Sequence, residues 1–165
     1  MLSLISSGCE NELIDLDFPV SFQFNLINSN DEVAETFLQG EDVKFTFEIS
    51  NTSDEIINLS NFQPELLCKE SSEFFRLHYE SIEANNWVDL GRPCIPMNCP
   101  YEGTYEIGAK SIRKIEYFWV KDCDKNSNLE PGKCKTEFDF EFEINGGRYN
   151  GMKSKQSFSI SFIVQ

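Results

Sequence analysis

The 165-residue sequence contains a single histidine, His78, and 14 basic residues against 28 acidic ones. No apolar run approaches the roughly 20 residues of a membrane-spanning helix. There is no G-x-S-x-G elbow and no glycine-rich phosphate loop. Each lack closes a class of function. A formal charge of −14 opposes nucleic-acid binding, because phosphate contacts need cations that replace the released counterions. It equally opposes charge-driven docking on anionic lipid. With one imidazole, placed by alternation on the polar face of a strand, nucleophile–histidine catalysis has a single candidate imidazole, and His78 reads as a surface residue. The acidic residues occupy no diagnostic positions for a pair of glycosidase carboxylates, so they read as a solvated face. The expectation is a protein that is not an enzyme and needs no cofactor.

Phenylalanine is plentiful: 15 Phe, with 5 Tyr and 2 Trp, in a chain that is 40% hydrophobic. A chain of this length can bury about 70% of its unfolded surface, enough for one domain with a true core. The charge is uneven. Residues 1–80 hold 16 acidic and 3 basic side chains, whereas residues 81–165 are nearly balanced. The excess is expected to decorate the solvent faces of the first strands and keep the domain soluble.

The amino terminus runs Met1-Leu2-Ser3-Leu4-Ile5-Ser6-Ser7-Gly8-Cys9. Apolar, then small residues, then Cys matches the end of a bacterial lipoprotein signal, in which the Cys becomes lipidated and opens the mature chain. Ser6 departs from the usual Leu, and the apolar part is short and lacks a positive leader. The reading assigns residues 1–18 to a signal remnant and tether lipidated at Cys9, and residues 19–165 to one domain. The anchor would then supply the membrane contact that the charge denies.

Five other cysteines stand at 68, 94, 99, 123 and 134. Cys123 and Cys134 flank a polar, turn-rich insert, and a bridge there would staple a loop, worth about 3 kcal/mol in the chain-entropy picture. Cys94 and Cys99 bracket a second compact turn, which leaves Cys68 as the odd thiol. Disulfides between these pairs are the expectation in an exported protein. Buried thiols and a zinc site of Cys94, Cys99, Cys123 and Cys134 are the alternatives, and the spacings fit zinc knuckles poorly. Residues 122–130 place oxygen-bearing side chains at alternate positions, as a calcium loop does. Ser127 and Lys133 nevertheless replace the hinge Gly and the bidentate Glu, so no metal is expected.

Alternation with period two dominates the rest. Val20, Phe22, Phe24 and Leu26 are separated by polar residues. The same holds for the series Val43–Ile49 and Phe138–Ile144, and for Phe75, Leu77 and Tyr79, Ile115, Tyr117 and Trp119, and Phe158, Ile160, Phe162 and Val164. Each predicts a half-buried strand. Weaker candidates lie at 33–38, 55–59, 86–90 and 104–107. Polar links at 28–31, 39–42 and 51–54, and Asn145-Gly146-Gly147, supply turns. No helical period is sustained, with room for only a turn or two at 64–72. This pattern predicts an all-β, immunoglobulin-like antiparallel β-sandwich of about 7–9 strands, with the aromatic stripes as its core.

Phe22-Gln23-Phe24-Asn25-Leu26-Ile27-Asn28, the stretch from Phe37-Leu38-Gln39-Gly40-Glu41 to Ser50-Asn51, Glu73-Phe74-Phe75-Arg76-Leu77-His78-Tyr79 and Asp89-Leu90-Gly91-Arg92-Pro93 together resemble uncharacterised immunoglobulin-like lipoproteins of Bacteroides-type bacteria. The segment from Gly40 to Asn51 is more distantly similar to the bacterial intracellular proteinase inhibitor domain. Arg92-Pro93 and Gly146-Gly147 resemble fragments of chagasin-type inhibitors, but in reversed order, so no residue roles transfer. The resemblance implies the sandwich and a place in the cell envelope, and carries no catalytic residues. The resulting expectation is a non-catalytic, lipid-anchored binding or structural module with an unidentified protein or glycan partner. The alternative is a protease inhibitor acting through a rigid inter-strand loop at residues 91–101.

Overall fold

The structure, a computed structural model, describes residues 18–60, 74–81, 86–93, 105–119 and 129–165. The strands are β1 (Val20–Ile27), β2 (Thr36–Phe37), β3 (Val43–Asn51), β4 (Ile57–Ser60), β5 (Leu77–Ser81), β6 (Asn86–Gly91), β7 (Tyr105–Ile107), β8 (Ile112–Trp119), β9 (Gly132–Asn145) and β10 (Lys153–Val164). One sheet has the order β1-β3-β8. The other runs β2-β10-β9 and then divides. β4 pairs with the C-terminal end of β9, through Leu59↔Ile144, and β7 lies outside β4. β5 pairs with the N-terminal end of β9, through Leu77↔Thr136 and Tyr79↔Cys134, and β6 lies outside β5. All pairings among these strands are antiparallel except β2 with β10. The orders β1-β3-β8 and β10-β9-β4 correspond to strands A-B-E and G-F-C of an immunoglobulin-like sandwich.

The fold is therefore the expected β-sandwich, with ten strands among the described residues against the seven to nine expected, because every weak candidate became a short strand. Alternation turns one face of each strand inward. Phe22, Phe24, Phe45 and Phe47 of the three-stranded sheet meet Phe138, Phe140 and Phe142 of β9. Ring centroids across the sheets stand 5.0 Å apart for Phe24–Phe138, 5.1 Å for Phe22–Phe140 and 5.4 Å for Phe47–Phe140, all edge-to-face. Such pairs add about 0.5–1.5 kcal/mol beyond area burial. Gly146 and Gly147 turn the chain from β9 into β10 at φ 91° and 61°, the conformations expected of them.

Two expectations are corrected. Phe75 does not belong to a strand. It sits in a turn at φ 61°, fully buried beside Phe74, and β5 starts two residues later. Among the described residues, the acidic excess is also not on the faces of the first strands. β1 carries no charge, and Asp31, Glu32, Glu35, Glu41, Asp42, Asp54 and Glu55 all lie in the connections between β1 and β4. Alternate charged faces belong instead to β9 and β10, where Lys155 bridges Asp139 (2.8 Å) and Glu141 (3.4 Å) and Lys153 reaches Glu143 (3.2 Å).

Candidate surface site on the β5–β6 hairpin

β6 pairs only with β5 among the described strands. It is therefore an edge, and its residues 86–89 are exposed on both faces. Register fixes what shares the outer face. His78 lies opposite Lys135 of β9 on one side and Asp89 of β6 on the other, and Glu80 lies opposite Trp87. With period two, Arg76, His78 and Glu80 join Lys133, Lys135 and Glu137, and Trp87 joins Asp89, on one surface.

Trp87 extends across β5 to reach β9. The Lys135 ammonium lies 4.9 Å from its ring centroid, a cation–π contact. Trp87 is 39% exposed, whereas the Lys135 side chain is only 20% exposed and also holds Glu137 at 2.8 Å. The ammonium is thus enclosed between indole and carboxylate, and the remaining ring surface is turned to solvent. The neighbouring charges are paired as well: Lys133 with Glu80 at 3.4 Å, and Arg76 Nε with Asp89 Oδ2 at 2.7 Å. Burial alone would raise the Asp89 carboxyl. The N–H of Gly91, donating at 2.8 Å, and the Arg76 guanidinium outweigh it and hold the group below its ordinary value. In the floor of this surface, His78 is half-buried and its Nδ1 is enclosed without a hydrogen-bond partner. His78 was expected on the polar face and is there. Its part in a charge-paired platform is legible only from the register.

The hairpin is fixed from below. Tyr79, on the opposite face, donates its hydroxyl to Pro131 O at 3.1 Å. Its ring closes over Gly132 (φ 150°), where a Cβ would approach within 2.8 Å of the ring. Arg92 is buried and its Nε donates to Phe74 O at 2.8 Å.

Of the cysteines named from the sequence, only Cys134 falls among the described residues. It is a free thiol pointing into the core, and burial pushes its pKa up to about 11. The bridge from Cys134 to Cys123 is thus not made in this structure. Cys134 belongs to the inward row of β9, with Thr136 and Phe138, and Cys123 lies outside the described residues. Cys9, Cys68, Cys94, Cys99 and Cys123 lie outside the described residues, as do residues 122–128 of the calcium-like run and most of the proposed inhibitory loop. Cys134 and His78 project from opposite faces of the sheet, which separates the thiol from the imidazole. Among the described residues no group of three or more His, Cys, Asp or Glu is placed to hold a metal ion, and no helix is long and apolar enough to cross a membrane.

No family model matches the chain, and neither does any curated protein. Among solved structures, it is similar to part of the Pseudomonas fluorescens alkylpurine DNA glycosylase AlkC bound to DNA containing an abasic site analog, at 12% identity and TM-score 0.39, covering 89% of this chain and 30% of that one. It is also similar to part of the beta-glucosidase from Listeria innocua in complex with isofagomine, at 13% identity and TM-score 0.34, covering 87% of this chain and 16% of that one. The chain spans under a third of the length of either protein, and neither likeness bears on its chemistry.

Proposed function

We propose that this chain is a non-catalytic binding or structural module of the cell envelope, lipid-anchored at Cys9 and related to the immunoglobulin-like lipoproteins it resembles. The observation that carries the binding role is the exposed face of the β5–β6 hairpin. There, Trp87 is 39% exposed on a charge-paired sheet, and among the described aromatic rings only it and Phe118 on the other sheet are exposed. Large rings left exposed on an ordered surface are the usual anchors of recognition. The anchoring role rests on Ser7-Gly8-Cys9.

The test is expression in a diderm bacterium with labelled palmitate, followed by cell fractionation. Label in the membrane fraction, lost with Cys9→Ala, supports the reading; an unlabelled protein confined to the cytosol overturns the envelope assignment. The inhibitor alternative draws support from the buried Arg92 and Pro93, which pin one end of residues 91–101 and would cut the entropy lost on binding. It is discarded if micromolar protein leaves serine and cysteine proteases uninhibited.

A further inference from the structure

We infer that the outer face of β9, β5 and β6 binds an uncharged carbohydrate chain, with Trp87 as its stacking platform. The inference rests on the binding-module reading above and names the class of ligand.

Three observations carry it. The first is the ring itself. The Lys135 ammonium stands over one face of the indole at 4.9 Å and the residue is 39% exposed, so the ring is held by a contact on one face while part of it meets solvent. Sugar rings present a face of weakly positive C–H groups that packs on the negative face of an aromatic ring.

The second is charge. The protein carries −14 overall, yet this face is locally balanced through the pairs Lys133–Glu80, Lys135–Glu137 and Arg76–Asp89. Within this face no charge of either sign is left in excess to draw a charged ligand. A polyhydroxylated neutral ligand meets donors and acceptors side by side, each with capacity for further hydrogen bonds.

The third is extent. β6, β5, β9 and β10 lie side by side, and successive strands are about 4.8 Å apart, so the surface from Trp87 to Ser161 of β10 spans about 14 Å. That is the reach of an oligosaccharide rather than a monosaccharide. The row from Trp87 carries Glu80 and Lys133 and ends on the exposed Ile163 of β10, and the neighbouring row carries Asp89, His78, Lys135 and Ser161, so every side chain but the last of the first row is polar. A protein hot spot would surround the Trp with apolar neighbours that exclude water. Here the residues beside Trp87 on β5 and β9 are charged, Val88 points to the other face of the hairpin, and the one apolar side chain of the row, Ile163, stands at its far end about 14 Å away.

The test is affinity electrophoresis of the full chain through gels containing a neutral glucan, a galactomannan, a xylan or the polyanion heparin, followed by calorimetric titration with oligosaccharides of any polymer that retards it. The expected result is retardation by at least one neutral polymer and not by heparin. Affinity should fall about tenfold or more in Trp87→Ala and be partly retained in Trp87→Phe, with unchanged thermal unfolding. No retardation by any neutral polymer, equal retardation of Trp87→Ala, or retardation by heparin alone overturns the proposal. Co-sedimentation with isolated envelope fragments separates the two levels. Trp87-dependent sedimentation without glycan binding removes the ligand class and leaves the module reading standing. Absence of both removes both.

Discussion

Asn51 shows how much one polar side chain can organise in a phenylalanine core. It is 2% exposed at the end of β3. Its Nδ2 donates to Glu55 O (2.7 Å), Gly108 O (2.9 Å) and Ile107 O (3.2 Å), and its Oδ1 accepts from the N–H (2.9 Å) and hydroxyl (2.8 Å) of Ser53. One amide thus closes the β3–β4 turn and ties it to the β7–β8 connection. Asn51→Ala leaves these buried groups unsatisfied, and urea unfolding is expected to show a loss of about 2–4 kcal/mol. In the sequence, Asn51-Thr52-Ser53-Asp54 reads correctly as a turn. That its first residue is a buried hub cannot be read there, because the acceptors at 107 and 108 are distant in sequence. Cys134 is a similar case. Its position beside a polar loop favours a bridge, whereas its parity on β9 places it inward. With a thiol pushed up to about 11 by burial, Cys134 should resist modification in the native state. Cys134→Ala is then expected to lower the thiol count by one under denaturant and leave the native count unchanged.

At the scale of elements, hydrophobic parity revealed nearly all the strands, since a half-buried strand records its two faces directly in alternate residues. Pairing was less legible. Nothing local shows that β9 has two different partners along one edge, or that β2, two residues long, crosses to lie parallel to β10. β2 is held by more than its ladder. Glu41 accepts from the N–H of Leu38 (2.8 Å) and from the N–H (3.0 Å) and hydroxyl (2.7 Å) of Ser29, linking both connections that flank the strand. These bonds, the one from Leu38 foremost, hold the Glu41 carboxyl below its ordinary value. A carboxyl whose folded pKa is lowered stabilises the fold fully above its unfolded value, about 4.3, and loses that contribution as pH falls through the folded value. Asp31, lowered by Lys44, and Asp139, lowered by Lys155 and Ser157, act in the same direction. Thermal stability should therefore drop below about pH 4. Glu41→Gln should be less stable than the parent at pH 7 and converge toward it at pH 3, as measured by melting curves across that range.

Across the described residues, the acidic connections lie apart from the Trp87 face. The acidic connections gather between β1 and β4, while the Trp87 face is neutral. Composition revealed the excess of charge, but only topology shows that its described part between β1 and β4 lies in the connections, save Glu48 on β3. Both sheets and the hairpin depend on one junction. Phe75 touches rings from four strands, with centroids at 5.2 Å to Phe24, 5.9 Å to Phe45, 5.4 Å to Tyr117 and 5.4 Å to Phe138. Its positive φ costs about 1–3 kcal/mol, offset by that burial. Phe75→Ala is expected to lose about 3–5 kcal/mol in denaturant unfolding. It should also accelerate hydrogen exchange in β5 and β6 along with that of β3.

The Phe74–Phe75 turn has a mechanical consequence. The chain enters the hairpin through two rings locked between the sheets, so the hairpin is keyed into the body of the protein like a tenon. A pull applied at Trp87 passes from β6 through its ladder with β5 to that joint. On the proposed reading of a tethered protein loaded at this face, that joint sets how much tension the contact survives.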